Sequence, residues 1–291
     1  MEISKFEDEV TACILHYSPD AEIYAAHAEI GYMTSLSCKS VHIRDKKIVF
    51  HLLPIHFYCL PTYFQEKSLE YASKGLHLVH LWQDCWITKK EIVRSRIAAL
   101  LGAYTRIHAR QTTVKRISKD MVFGFFATNH LQGFVNARYN YGLFCGEILV
   151  AASSFSAGRK MTRNKTIGKS FELVRYANLL NHRVVGGLGK LIARFVKDVE
   201  PDDIMTYADL DWAWGAGYNA LNFEKTGITP PQSFFIHPAE MVRYYPHRLP
   251  QQFTEEFNKQ NGFENIDDFL KNNGYVKIYN AGNFKYLLKC G

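Results

Sequence analysis

Between residues 171 and 208 two strand-like stretches are joined through a cluster of glycines, and this narrows the folds open to the chain more than any other feature. Phe171 to Tyr176 (FELVRY) and Asp203 to Ala208 (DIMTYA) are short, apolar and bounded by turn residues. Between them lie Gly186-Gly187-Leu188-Gly189 and a helical pattern running to about Asp198. Parallel strands need a crossover of a dozen or more residues, usually a helix, and glycines let the chain turn sharply into it. Upstream, residues 139–155 read as a hairpin turning at Cys145-Gly146-Glu147. Downstream, Gly215 to Leu221 suggests a helix and 222–226 a strand.

The order is hairpin, strand, glycine turn, helix, strand, helix, strand. It predicts an α/β (α+β) chain containing an N-acetyltransferase-like mixed-sheet domain. In such a fold the turn presents backbone N–H groups and the helix dipole to a pyrophosphate. An acyl-CoA-type donor is therefore expected, with Arg183, Gly186, Gly187, Gly189 and Lys190 as candidate contacts. The usual pattern is Gln/Arg-x-x-Gly-x-Gly/Ala. With Gly187 as its first glycine, the Gln/Arg position holds Val184; counted from Arg183, the last position holds Leu188. A glycine turn that serves only helix-on-sheet packing stays open beside the phosphate reading.

Ligands of open α/β sheets lie at strand C-terminal ends. Thr206-Tyr207-Ala208-Asp209 is such an end. Asp209 is placed either as a general base toward an amine or as the cap of the next helix, a job Asp211 can also do. Tyr207 and Tyr218 are candidate proton donors to a leaving group. Glu172 shares a strand face with Val174 and Tyr176, and either faces the site or forms a salt bridge.

At 291 residues the chain exceeds one average domain. The expected boundaries are 1–103, 104–250 and 251–291. The first segment reads as strands 41–45 and 47–53, helix 62–73, strand 76–82 and a helix from Thr88 to Gly102. The last reads as a helix 255–272 and a hairpin 275–288. A net charge of +7 favours a polyanionic partner, with nucleic acid first. Arg106, Arg110 and Lys115, then Arg159, Lys160, Arg163 and Lys165 in a flexible 157–170 loop, are candidate phosphate contacts. Trp212 and Trp214 are candidate base-stacking partners. Six scattered cysteines include no Cys-x-x-Cys pair, so no zinc site is expected and the thiols read as reduced. With no signal core and no apolar span, a cytoplasmic protein without membrane contact is expected.

FELVRYANL, VVGGLGKLIARFVKD and DDIMTYADLDWAWGAGYNALNFEKTG resemble the C-terminal half of phage Hef-like homing endonucleases and the Mom-type DNA-modification acyltransferases of phages. The likeness covers about half the chain. It includes Asn129-His130-Leu131-Gln132-Gly133 and the hairpin, and is strongest where Tyr207-Ala208-Asp209 is followed by Gly215, Tyr218 and Asn222-Phe223. It implies acylation of an exocyclic base amine, adenine's in DNA, with His130, Tyr207, Asp209 and Tyr218 in the site. Residues 75–102 are similar to the end of a very-short-patch-repair-type nuclease domain, which implies a small restriction-endonuclease-like α/β domain in front. Such nucleases hold a divalent metal on an Asp and a Glu. Here those positions hold His42 and His51, followed by Leu53-Pro54, so nuclease chemistry is not expected. His42, His51 and His56 then make either a softer metal site or half-buried histidines of a strand surface. The rival to a modifying enzyme is a non-catalytic DNA-binding protein of phage or mobile-element origin.

Overall fold

Phe6, Val10 and Ile14 recur every fourth residue and are wholly buried, which makes α1 (Ile3–Tyr17) an amphipathic helix. The computed structural model describes residues 2–27, 37–57, 59–163, 166–259 and 263–290. After α1 come β1 (Glu22–His27), β2 (Ser37–Ile43), β3 (Ile48–Leu53), α2 (Tyr63–Ser73) and β4 (His77–Trp82). Then follow α3 (Gln83–Thr88), α4 (Lys90–Leu100), β5 (Thr105–His108), β6 (Thr113–Arg116) and α5 (Lys119–Asn129). The middle of the chain forms β7 (Tyr139–Cys145), β8 (Ile148–Phe155), β9 (Arg159–Arg163), β10 (Thr166–Asn178), β11 (His182–Val185), α6 (Gly187–Val199) and β12 (Asp203–Asp209). The remainder is α7 (Ala216–Asn219), β13 (Glu224–Ile228), β14 (Ser233–Ile236), β15 (Arg243–Tyr244), α8 (Gln251–Lys259), α9 (Ile266–Asn272), β16 (Val276–Tyr279) and β17 (Asn283–Lys289).

The chain divides into two compact units, and neither is one continuous stretch. The first comprises residues 1–90, 209–214 and 229–283; the second comprises 91–208, 215–228 and 284–291. This differs from the boundaries 1–103, 104–250 and 251–291, because strands that complete each unit come from segments far apart in sequence.

In the first unit β1, β2 and β3 form an antiparallel meander, and α2 carries the chain across so that β4 pairs parallel to β3. β3 is buried at every position, as a strand covered on both faces must be. A second sheet, β15-β14-β16, packs Phe235 with Phe253, Phe269 and Leu270 of α8 and α9. The expected single helix over 255–272 is thus two.

The second unit is built on an eight-stranded sheet in the order β13-β17-β12-β10-β8-β7-β6, with β9 also pairing to β10. β6, β7, β8 and β10 are mutually antiparallel, whereas β10 and β12 run parallel across the α6 crossover. α5 covers one face through Val122, Phe125 and Phe126 on Ala152 and Ala177. α6 covers the other: Phe195 stacks on Phe155 at 3.9 Å and meets Tyr139, Tyr141 and Phe171 edge-on. Burying one such ring contributes about 2 kcal/mol.

Two expectations are corrected here. The 157–170 segment is a hairpin, β9 with β10, because Arg159 to Arg163 pair with Thr166 to Ser170; the tip at 164–165, with Lys165, lies outside the described residues. Residues 275–288 are not a hairpin: β16 pairs with β14, and β17 joins the large sheet between β12 and β13.

Candidate active site

β10 and β12 are register partners over three positions only, Ser170 with Asp203, Phe171 with Ile204 and Glu172 with Met205. Beyond Glu172, β10 stays with β8, and Val174 is an extra residue between the pairs Leu173–Phe155 and Arg175–Ser154. Such a bulge bends the strand that carries it. The last link across to β12 is a side chain: the Thr206 hydroxyl donates to the Leu173 carbonyl at 3.0 Å. The C-terminal halves of the two parallel strands therefore lose their ladder in the middle of the sheet, where backbone polar groups otherwise seek partners.

α6 starts just past the end of β10. Gly186 has φ +76°, a left-handed turn that opens the helix, so the amides of its first turn point out of the N-terminus. A Cβ on Gly187 would stand 2.9 Å from Val184 and 3.1 Å from Leu143, and one on Gly189 3.0 Å from Leu221. Gly187 is thus required for packing, whereas at Gly189 the end of the Leu221 side chain would have to give by a few tenths of an ångström. Two of the three Lys190 ammonium protons are taken: it donates to the Ala109 carbonyl at 2.7 Å and to that of Thr112, tying the turn before β6 to the helix. Lys190 is corrected from a ligand contact to a structural tether. Arg183 and Arg106, in contrast, stand directly opposite each other in the parallel pair β11–β5, three residues before Gly186. Both are exposed, and Arg183 lies over the Tyr104 ring at 5.5 Å. Hydrogen bonding with Arg106, and with Arg183, holds the Tyr104 phenol below its ordinary range. Like charges set opposite each other cost stability unless an anion neutralises them.

Tyr218, from α7, packs on Phe223 and Tyr286 at ring distances of 5.5 and 5.3 Å. Burial raises its phenol, and a hydrogen bond with Thr206 works the other way. Its hydroxyl thus sits at the Thr206–Leu173 link where the strands part. Tyr176, on the same stretch of β10, donates to Asn178 Oδ1 at 2.9 Å. Glu172, at the last paired position, is half-buried and 3.6 Å from the Arg159 guanidinium. Tyr207 lies near both: burial raises its phenol, the Glu172 charge adds to this, and Arg159 opposes it. Glu172 thus has an ion-pair neighbour, and it is Arg159. Arg175 reaches instead to the carbonyls of Gly133 and Val174. His130 caps α5; its Nδ1 accepts the Gln132 amide at 3.1 Å, so it shapes the loop before the hairpin.

Strand order, the parallel crossover and the position of α6 make this an N-acetyltransferase-like mixed α/β fold. No family model matches the chain, and no curated protein does. Among solved structures it is similar to an acetyltransferase of Bacillus subtilis in complex with CoA, at 12% identity, over 61% of this chain and 98% of that one, with a TM-score of 0.34. It is similar to a GNAT family acetyltransferase of Elizabethkingia anophelis with acetyl-CoA bound, at 8% identity, over 62% and 98%, TM-score 0.29. A third likeness is to the KacTA–DNA complex, at 18% identity, over 52% and 100%, TM-score 0.30.

Of the basic candidates, Arg110, Lys115, Arg159 and Lys160 are exposed on the second unit, Lys115 lying over the Phe144 ring at 5.0 Å. The side chain of Arg163 lies outside the described residues.

In the first unit, Asp209 Oδ1 accepts the Asp211 amide at 3.0 Å, closing the turn after β12 rather than capping a helix, since the N-cap of α7 is Gly215. Asp211 is buried; its Oδ1 accepts the Ala281 amide at 2.7 Å, and burial, then the Asp209 charge, push its carboxyl well above the usual range. Trp212 is buried, so it is core rather than a stacking platform for an extruded base, whereas Trp214 is partly exposed with its ring 5.3 Å from that of His77. Asp84 and Arg243 form a two-bond ion pair, Nε to Oδ2 at 2.6 Å and Nη2 to Oδ1 at 3.0 Å.

His51 and His80 are fixed in one tautomer each. The Phe64 carbonyl accepts from His80 Nε2 at 3.1 Å, so that nitrogen carries the proton. His80 Nδ1 is then an acceptor for His51 Nδ1–H at 3.3 Å, which leaves His51 Nε2 to accept the Cys38 thiol at 2.9 Å. Burial pushes His51 down to about 4 and Cys38 up to about 12. His42 is half-buried and bonded to Ser40 Oγ at 3.1 Å, while His56 is exposed. Among the described residues no group of three His, Cys, Asp or Glu side chains could hold a metal ion. The described helices include none long and apolar enough to cross a membrane.

Proposed function

We propose that the second unit is an acyl-CoA-dependent N-acyltransferase whose acceptor is an exocyclic base amine, DNA being the favoured polymer. The observation that carries the reading is the parting of β10 from β12 after Glu172–Met205, beside the N-terminus of α6. A helix N-terminus fits a diphosphate. Arg106 and Arg183, opposed on the approach to it, supply the cations that an anion would neutralise. These groups would hold the donor, which supplies an activated acyl carbonyl. Glu172 takes the amine proton as the N–C bond forms and the C–S bond breaks. Tyr218 holds its proton because its phenol is raised, and gives it to the departing sulfur. Asp209 is left to hold the turn after β12. The +7 charge and the exposed Arg110, Lys115 and Lys160 support a polyanionic acceptor.

For the first unit, the order α1-β1-β2-β3-α2-β4, with His42 and His51 on neighbouring strands, supports a nuclease-like fold without the carboxylates of nuclease chemistry. The test is nucleoside mass analysis of duplex and single-stranded DNA incubated with acetyl-CoA and protein. An acylated deoxyadenosine or deoxycytidine, with thiol released in equal amount, supports the reading. Unmodified nucleosides with no thiol release refute it, and retained DNA binding would then leave the non-catalytic alternative.

A further inference from the structure

Tyr63, Lys67 and Tyr71 are spaced by four residues along α2, so they form one stripe on that helix. The stripe roofs a cavity of about 460 Å³ in the first unit. Its floor is the sheet. Tyr24, Ser40 and His51 are direct register partners across β1, β2 and β3, and in the next row His42 stands opposite Val49. The size falls within the range of roughly 300–1,000 Å³ common for small-molecule sites. None of the residues assigned to acyl transfer lines it.

The lining is aromatic on two sides and rich in hydrogen-bond donors. Tyr24 and His42 meet edge-to-face at 4.7 Å on the floor, with Tyr63 and Tyr71 above. The Tyr63 and Tyr71 hydroxyls make no hydrogen bond among the described residues, although both groups are only half exposed. Burial holds His42 below its ordinary pKa, so at neutral pH it offers one N–H. Lys67 is ion-paired with Glu70 at 2.9 Å, which leaves two of its three ammonium protons for another acceptor. A ligand matching this set is flat, so that it lies between rings, and carries an oxyanion that accepts from an ammonium and from phenols.

We propose that this cavity is a binding site for a nucleoside 5′-monophosphate, its base among Tyr24, Tyr63 and Tyr71 and its phosphate toward Lys67. The site is separate from the acyl-transfer site and does not depend on that reading. Isothermal titration of the full chain with adenosine or thymidine 5′-monophosphate tests it, with the parent nucleosides and inorganic phosphate as separate arms. The expected result is one nucleotide per chain, bound at least tenfold tighter than either nucleoside or phosphate. Lys67→Met should abolish the preference for nucleotide over nucleoside. Tyr71→Leu should weaken both. Both positions lie on the accessible side of α2, and unchanged tryptophan emission verifies the fold. No heat with either nucleotide at millimolar concentration overturns the proposal. So does binding that both substitutions leave intact, or phosphate binding as tightly as nucleotide.

Discussion

Replacing Arg243 by Met removes the cation from a site that holds several carboxylates. Asp84 is 3% exposed at its side chain and Arg243 21%, with the guanidinium 5.1 Å from the Phe234 ring and 5.9 Å from that of Trp82. The Arg243 charge also draws the Asp211 carboxyl down against burial and Asp209. Two unit charges at about 4 Å attract by roughly 4 kcal/mol at an effective dielectric of 20. Breaking a buried pair by removing one partner typically costs about 3–5 kcal/mol, because the other charge stays behind. Arg243→Met should therefore destabilise the first unit by about 4 kcal/mol. Asp84→Asn/Arg243→Met should recover about half of that, since no uncompensated Asp84 charge remains. Urea unfolding followed by tryptophan emission reads this unit alone, because Trp82, Trp86, Trp212 and Trp214 all belong to it. A single substitution costing under about 1 kcal/mol, or a double variant equal to the sum of the singles, refutes the argument.

Three further outcomes follow. Glu172→Gln and Tyr218→Phe should each slow acyl transfer by about 100- to 10,000-fold, while Asp209→Asn, whose side-chain oxygen can still accept the Asp211 amide, leaves the rate within a few-fold; equal losses at all three positions would return Asp209 to the mechanism. Gly215→Ala places a Cβ 2.0 Å from the Tyr286 hydroxyl at φ +73°, so the second unit should lose about 3 kcal/mol in thermal unfolding, and a wild-type midpoint contradicts this. His51 binds its proton near 4 in the fold and near 6.5 when unfolded, so the unfolded chain takes up more protons between those values. His51 alone should cost the first unit about 3 kcal/mol as pH drops through that window, and buried His80, held well below its ordinary value, adds a loss of the same sign; His51→Asn should make the dependence shallower without abolishing it, and an unchanged slope removes His51 from it.

The crossover was readable because its signals are local. Gly186 has to adopt positive φ, and the hairpin turns at Gly146 as its sequence predicts. Pairing over distance was not readable. Nothing in residues 283–289 says that β17 enters the large sheet rather than folding back on β16, since both arrangements bury the same alternating side chains. Register was also hidden, and with it the site. The short run of pairs between β10 and β12, and the bulge at Val174, depend on partners in three strands. Lys190 was misread for the same reason: its two acceptor carbonyls lie about 80 positions upstream.

The position of β17 has a consequence for synthesis. The large sheet has β12 and β13 on either side of a strand made from residues 283–289, far downstream of β12. While a ribosome is still making that stretch, β12 presents an unpaired apolar edge, the kind of surface that recruits a neighbouring nascent chain. The second unit therefore closes only after translation has passed residue 289. A fragment ending near residue 250 should emerge as an open, aggregation-prone sheet, however complete its site residues are.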